Sequence, residues 1–158
     1  MAVCLQNLDN VASLLSSTNG DREETLATLL NSDPTLDLHV VEAVKLHMLQ
    51  CAMELYQGHS SGSDNMPLFA SLMFARDTSE TPKHLMNNHL CDIGNSGGLE
   101  QVEMFLLGYM LGVTLRVIRP VAFGTEDFIC SYPDWNEGNW PKVFLIAEDD
   151  RHYNVLVE

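Results

Sequence analysis

Gly112 divides this chain by hydrophobic period, and that division limits the possible folds more than any other feature. Before it, apolar residues recur every three or four positions; after it, they alternate or form short β-branched runs. Val3 to Leu15 and Asp21 to Leu30 carry weak helical spacing, and Asn31-Ser32-Asp33-Pro34 closes the second stretch as a turn signal. From about Asp37 to Gln57 the stripe Val41, Val44, Met48, Cys51 and Leu55 predicts the clearest helix, with Gly58 as its stop. Pro67 can open a short helix through Phe74, and Thr81-Pro82 offers an N-cap and first-turn proline to another carrying Leu85, Met86 and His89. Leu99 to Leu111 is apolar enough for the core, with Glu100 and Glu103 near its positive end and Gly112 closing it. Val113 to Arg119, Asp127 to Ser131, Lys142 to Ala147 and His152 to Val157 then predict strands, with Asp149-Asp150-Arg151 as the turn of the last hairpin. The expectation is an α+β fold, N-terminal helices packed on a mostly antiparallel sheet.

A chain of 158 residues is most simply one domain and can bury roughly 68–70% of the surface its unfolded form exposes. The polar stretch Gly58 to Asn65 reads as a flexible loop inside that domain. Acidic side chains outnumber basic ones 22 to 8, for a net charge of −14. Such a surface repels phosphate backbones and anionic lipid, which argues against nucleic-acid and membrane partners, although solubility alone is an equal reading. No apolar run reaches the length of a membrane span, and the N-terminus lacks a signal-peptide layout. Cys4, Cys51, Cys91 and Cys130 show no paired spacing and read as reduced thiols of a cytoplasmic protein. No metal cluster or cofactor motif stands out; His39 and His47 read as surface residues, and Gly97-Gly98 as a hinge or turn more than an anion cradle. Trp135 and Trp140 are expected to pack over a sheet edge or, alternatively, to bind something.

The closing run holds the chemistry. On a terminal strand His152 and Asn154 project to one side, with Tyr153 and Val155 opposite. That suits half of a thiol-protease triad, in which histidine takes the cysteine proton and an asparagine amide orients the ring. Two solvated polar residues on an edge strand would look the same. Asp149 and Asp150 favour the charged form of His152 by proximity.

Four segments carry a resemblance: Val41-Glu42-Ala43-Val44-Lys45-Leu46, Leu72-Met73-Phe74-Ala75-Arg76-Asp77-Thr78-Ser79, Gly97 through Leu107, and Leu145 through Val157. Together they resemble the otulin type of OTU-class deubiquitinases, clearly over residues 37–158 and weakly over 1–36. The resemblance implies a partial OTU, papain-like catalytic domain and a thiol protease that hydrolyses linear (Met1-linked) polyubiquitin. It implies His152 as general base, Asn154 as its orienter, and Asp149 as an acid that holds the histidine unproductive until the proximal ubiquitin intervenes. Tyr56 and Leu72 fall where the family contacts the distal ubiquitin. Asp127 falls where it uses a glutamate against the proximal one, one methylene longer than the residue here.

The family's nucleophile segment has no counterpart in this sequence. Cys51 lies on an apolar helical stripe, Cys130 within a strand and Cys91 at a helix end; Cys4, near a helix start, has none of the family's motif around it. The expectation is therefore the C-terminal half of such an enzyme, silent by itself. Its alternatives are a non-catalytic ubiquitin-binding or decoy module and a fragment with uncovered apolar surface and poor stability.

Overall fold

The structure, a computed structural model, describes residues 1–17, 20–64, 66–95, 98–135 and 138–156. Six helices come first: α1 Ala2–Ser17, α2 Arg22–Ser32, α3 Pro34–Ser60, α4 Leu68–Phe74, α5 Pro82–Asn88 and α6 Gln101–Leu111. Four strands follow, β1 Thr114–Ile118, β2 Ile129–Tyr132, β3 Lys142–Ala147 and β4 Tyr153–Val155. This is the α+β order that the change of period at Gly112 predicts, and Gly112 itself closes α6 in the left-handed conformation at φ 63°. Among the described residues no helix is long and apolar enough to cross a membrane.

The chain forms two units, Met1–His47 and Met48–Glu158. In the first, Asp21 Oδ1 caps α2 by accepting from the amides of Glu23 and Glu24 at 2.9 and 3.1 Å. Asp33 Oδ1 accepts from Thr35 N at 2.8 Å, so α3 starts at Pro34, where the missing amide hydrogen costs no helical bond. Asn7 Nδ2 lies 2.9 Å from His39 Nδ1 and ties α1 to α3, while Val11, Leu36 and Ala43 are buried.

In the second unit α3 contributes buried Met48, Ala52 and Leu55. Gly58 does not end the helix, which runs to Ser60. A Cβ at Gly58 would meet Met66 Sδ at 2.3 Å, so this glycine admits the returning chain instead of stopping the helix. Pro67 and Thr81 serve as N-caps of α4 and α5, as their sequence context predicts, and the Thr81 hydroxyl accepts from His84 N at 3.2 Å.

The sheet order is β2-β1-β3-β4. β1 pairs antiparallel with β2, β3 antiparallel with β4, and the central β1–β3 pair is parallel. The sheet is mixed, then, with two of its three pairings antiparallel. Leu115, Val117, Tyr132 and Ala147 form the core against Met104 of α6, with Leu145, Cys130 and Tyr153 partly buried beside them. A Cβ at Gly108 would meet Tyr132 O at 2.4 Å, so only a residue without a side chain lets α6 lie this close to β2. The opposite face carries, by alternation and register, Arg116, Ile118, Ile129, Phe144 and Ile146. Ile129 and Phe144 are exposed there. The Trp135 ring stacks on Phe69 of α4 at 5.3 Å and on Phe105 of α6 at 6.0 Å, and Phe105 in turn meets Tyr132 of the edge strand β2 at 5.1 Å.

Candidate active site

The sequence Glu148-Asp149-Asp150-Arg151-His152 turns because it is polar between two apolar strands and because Asp149 can fold its carboxylate back on the chain. Asp149 Oδ1 accepts from the amides of Arg151 and His152 at 2.7 and 2.8 Å, and Glu148 N donates to His152 O at 2.9 Å. His152 therefore belongs to the end of this turn, and β4 starts one residue later than the alternation of the sequence predicts. The predicted end of that strand at Val157 lies outside the described residues.

The second Asp149 oxygen meets His152 Nδ1 at 2.7 Å. The imidazole bond first, then the two amides, hold the Asp149 carboxyl down at about 2, against an ordinary 3.8. An ionised carboxylate only accepts, so His152 Nδ1 carries the hydrogen and, in the neutral ring, the lone pair sits on Nε2, as a general base requires. Asn154 does not orient this ring. Its Nδ2 donates to Glu148 Oε1 at 2.7 Å, so the amide expected to hold the histidine is held by the turn itself.

The turn is also gripped from outside, by residues that sequence reasoning passed over. Leu99 N donates to Arg151 O at 2.9 Å, and Glu100 Oε1 lies 3.1 Å from Arg151 Nη2. Tyr153 Oη donates to Asp150 O at 2.9 Å, and Arg119 pairs with the Asp150 carboxylate. Gly98 has φ +65°, and a Cβ there would sit 2.3 Å from Arg151 O. The glycine pair before α6 is thus partly explained: Gly98 is the point where the backbone carrying His152 touches the start of α6.

The remaining predicted residues lie elsewhere on this unit. Tyr56, on α3, packs edge-on against Phe74 at 5.0 Å. Leu72, exposed on α4, lines an apolar depression of about 270 Å³ with Leu68, Phe69, Phe105 and Trp135. Asp127 is exposed in the 3₁₀ turn Glu126–Phe128 before β2, at the sheet edge opposite β4. The structure joins His152 to Asp149 and leaves Tyr56, Leu72 and Asp127 as separate surface positions.

The thiols are dispersed. Burial pushes the Cys51 thiol up to about 11, which keeps it protonated at neutral pH. Cys91 Sγ donates to Asn87 O at 2.9 Å from a 3₁₀ turn, Cys130 stands on β2 three strands from β4, and Cys4 is in the first turn of α1. Sequence spacing did not suggest a metal cluster, yet His89, Glu100 and Glu103 bring ligand atoms within 4.8 Å of one another. Here the ring nitrogens of His89 engage Glu103 Oε1 and Thr78 Oγ1, both at 2.9 Å, and Glu100 faces Arg76 and Arg151. These contacts hold the grouping together as hydrogen bonds and ion pairs, except that the buried Glu103 Oε2 has no hydrogen-bond partner among the described residues.

Helices followed by a mixed four-stranded sheet, with a histidine and carboxylate at its closing turn, are compatible with a peptidase domain of the cysteine class. The chain belongs to peptidase family C101, a cysteine-peptidase family, whose family model matches residues 2–157.

Proposed function

We propose that this chain carries the histidine half of an otulin-type deubiquitinase, acting on linear (Met1-linked) polyubiquitin by Cys-His-Asn thiol-protease chemistry. The observation that carries the reading is the His152–Asp149 contact at 2.7 Å, which fixes the ring in a basic tautomer while Asn154 is turned to Glu148. In the active arrangement Asn154 replaces Asp149 as the partner of Nδ1, and His152 Nε2 removes the proton of a cysteine thiol. One thiol is kept protonated by burial, two donate to backbone carbonyls and the fourth is in the first turn of α1, so on this reading none of the four is the nucleophile. Loss of the nucleophile in a comparable triad costs on the order of 10⁶ in kcat. The isolated chain is therefore expected to leave linear diubiquitin intact. Clear cleavage abolished by Cys4→Ala would overturn this assignment of the thiols.

A second reading, ubiquitin binding without catalysis, is favoured by exposed Leu72 beside its apolar depression. Titration with linear and Lys-linked diubiquitin separates the two. Affinity lost in Leu72→Glu and kept in His152→Ala supports binding as the activity of this chain; no affinity for any linkage removes both readings.

A further inference from the structure

Beside the closing turn lies a cavity of about 410 Å³ whose wall includes Arg76, Arg119 and Arg151 together with Glu100 and Asp150. The chain has only eight basic side chains against 22 acidic ones, yet here the cations outnumber the carboxylates three to two. Three elements bring them together: Arg76 follows α4, Arg119 follows β1 and Arg151 is in the closing turn. Arg119 also meets the Cys130 thiol, but the N–H groups still outnumber the carboxylate oxygens beside them. Three guanidinium groups present about fifteen N–H donors, and two carboxylates offer about eight lone-pair sites. Glu100 is moreover shared, 3.1 Å from Arg151 and a loose 3.8 Å from Arg76. Val117 and Tyr132 add an apolar wall, and burial raises the Tyr132 phenol to about 12, so its hydroxyl stays protonated and able to donate. Gln101, the first residue of α6, also lines the cavity and places it at the positive end of that helix.

We infer that this cavity is a binding site for a phosphate group, a compact oxyanion of more than one charge that can accept from several guanidinium groups at once. A single carboxylate is best matched to one fork, and Glu100 is already divided between Arg151 and Arg76 while Asp150 pairs with Arg119. A phosphate has oxygens enough for all three, and arginine is the side chain best shaped to hold it. The charge of the whole chain repels extended polyanions, so the ligand is small, of the size the cavity admits. Occupancy is coupled to the turn, because the ligand competes with Asp150 and Glu100 for the same N–H groups that fix Arg119 and Arg151. The site stands on the fold alone and does not depend on which peptide bond the family chemistry cuts.

The test is a titration of the full chain, followed by NMR at the arginine Nε–H groups and the backbone amides. Inorganic phosphate, pyrophosphate, a phosphoserine tripeptide, acetate and chloride are added at matched ionic strength. The expected result is saturable shifts at Arg76, Arg119 and Arg151 with phosphate and more strongly with pyrophosphate, transmitted to Asp149 and His152, and none with acetate or chloride. Saturation by the tripeptide assigns the source as a phosphorylated side chain; its failure, with phosphate and pyrophosphate bound, assigns a free small phosphate. Arg119→Gln should weaken binding by roughly tenfold or more, the scale of one lost charged contact. Arg76→Gln, which gives up only the loose ion pair, keeps the question open to measurement if Arg119→Gln does not fold. Shifts that never saturate, shifts equal in phosphate and chloride, or a folded Arg76→Gln protein with unchanged affinity would overturn the site.

Discussion

At the scale of single residues, Asp149 and Gly98 bear most of the local geometry. Asp149 has its carboxyl depressed to about 2 from 3.8 by hydrogen bonds that exist only in the folded turn. A depressed carboxylate contributes its full stabilisation above the unfolded value and loses it as pH falls through the folded value. The His152–Asp149 contact should therefore persist from neutral pH to about pH 4 and disappear near pH 2, followed by the chemical shift of the Asp149 side-chain carboxyl carbon. A midpoint above pH 4 would contradict the hydrogen bonding described. Gly98 combines a left-handed backbone with the 2.3 Å approach to Arg151 O. Gly98→Ala should cost at least about 1–2 kcal/mol from backbone conformation alone. It should also displace the closing turn, visible as shifted amides at Arg151 and His152 with the rest of the spectrum kept. The hold of Asp149 on His152 was implied by the family resemblance and by their proximity in the chain, whereas the role of Gly98 was not legible in the sequence. Gly98 reads there as a plain turn residue, because the carbonyl it accommodates is over fifty positions away.

At the scale of elements, the join between α5 and α6 is a buried pair. His89 and Glu103 meet at 2.9 Å with side chains 7% and 4% exposed, and Glu103 Oε2 has no hydrogen-bond partner. Removing one member of a buried pair leaves the other uncompensated, so His89→Ala should cost about 3–5 kcal/mol. Urea unfolding measures this, and a loss below about 1 kcal/mol would mean that the pair is not coupled to folding. The cap at Thr81 is worth less: Thr81→Ala should cost about 1 kcal/mol by the same measurement. That cap was legible from Thr81-Pro82 because capping is local chemistry. The pair was not. His89 reads as a helical residue but caps the end of α5, and only the tertiary fold brings it to Glu103 in the first turn of α6.

At the scale of the molecule, the second unit has one sheet face filled by α6 and the other carrying Ile118, Ile129, Phe144 and Ile146. Ile129 and Phe144 remain 41% and 44% exposed there. Exposed apolar side chains of this kind favour association, although the Arg116 guanidinium lies 5.9 Å over the Phe144 ring on the same face. Sedimentation should show concentration-dependent self-association of the chain, reduced in Phe144→Glu. A sharp monomer at all concentrations would show that this face is stable in water. The acidic surface opposes such association in low salt, so added salt should promote it by screening.

Periodicity, capping residues and the glycine at position 112 depend only on neighbours along the chain. They determined the helices, the strands and their order, and so the α+β class. The same local alternation placed His152 on a strand, and there tertiary structure decided otherwise. The Asp149 carboxylate captured two amides and the imidazole, drew His152 into the turn, and left Asn154 to Glu148. Strand pairing likewise decided that β3 lies parallel beside β1, which brings Arg119 to Asp150 and sets three arginines around one cavity. Partners separated by tens of residues meet only when the whole chain closes, and sequence spacing contains no measure of that closure.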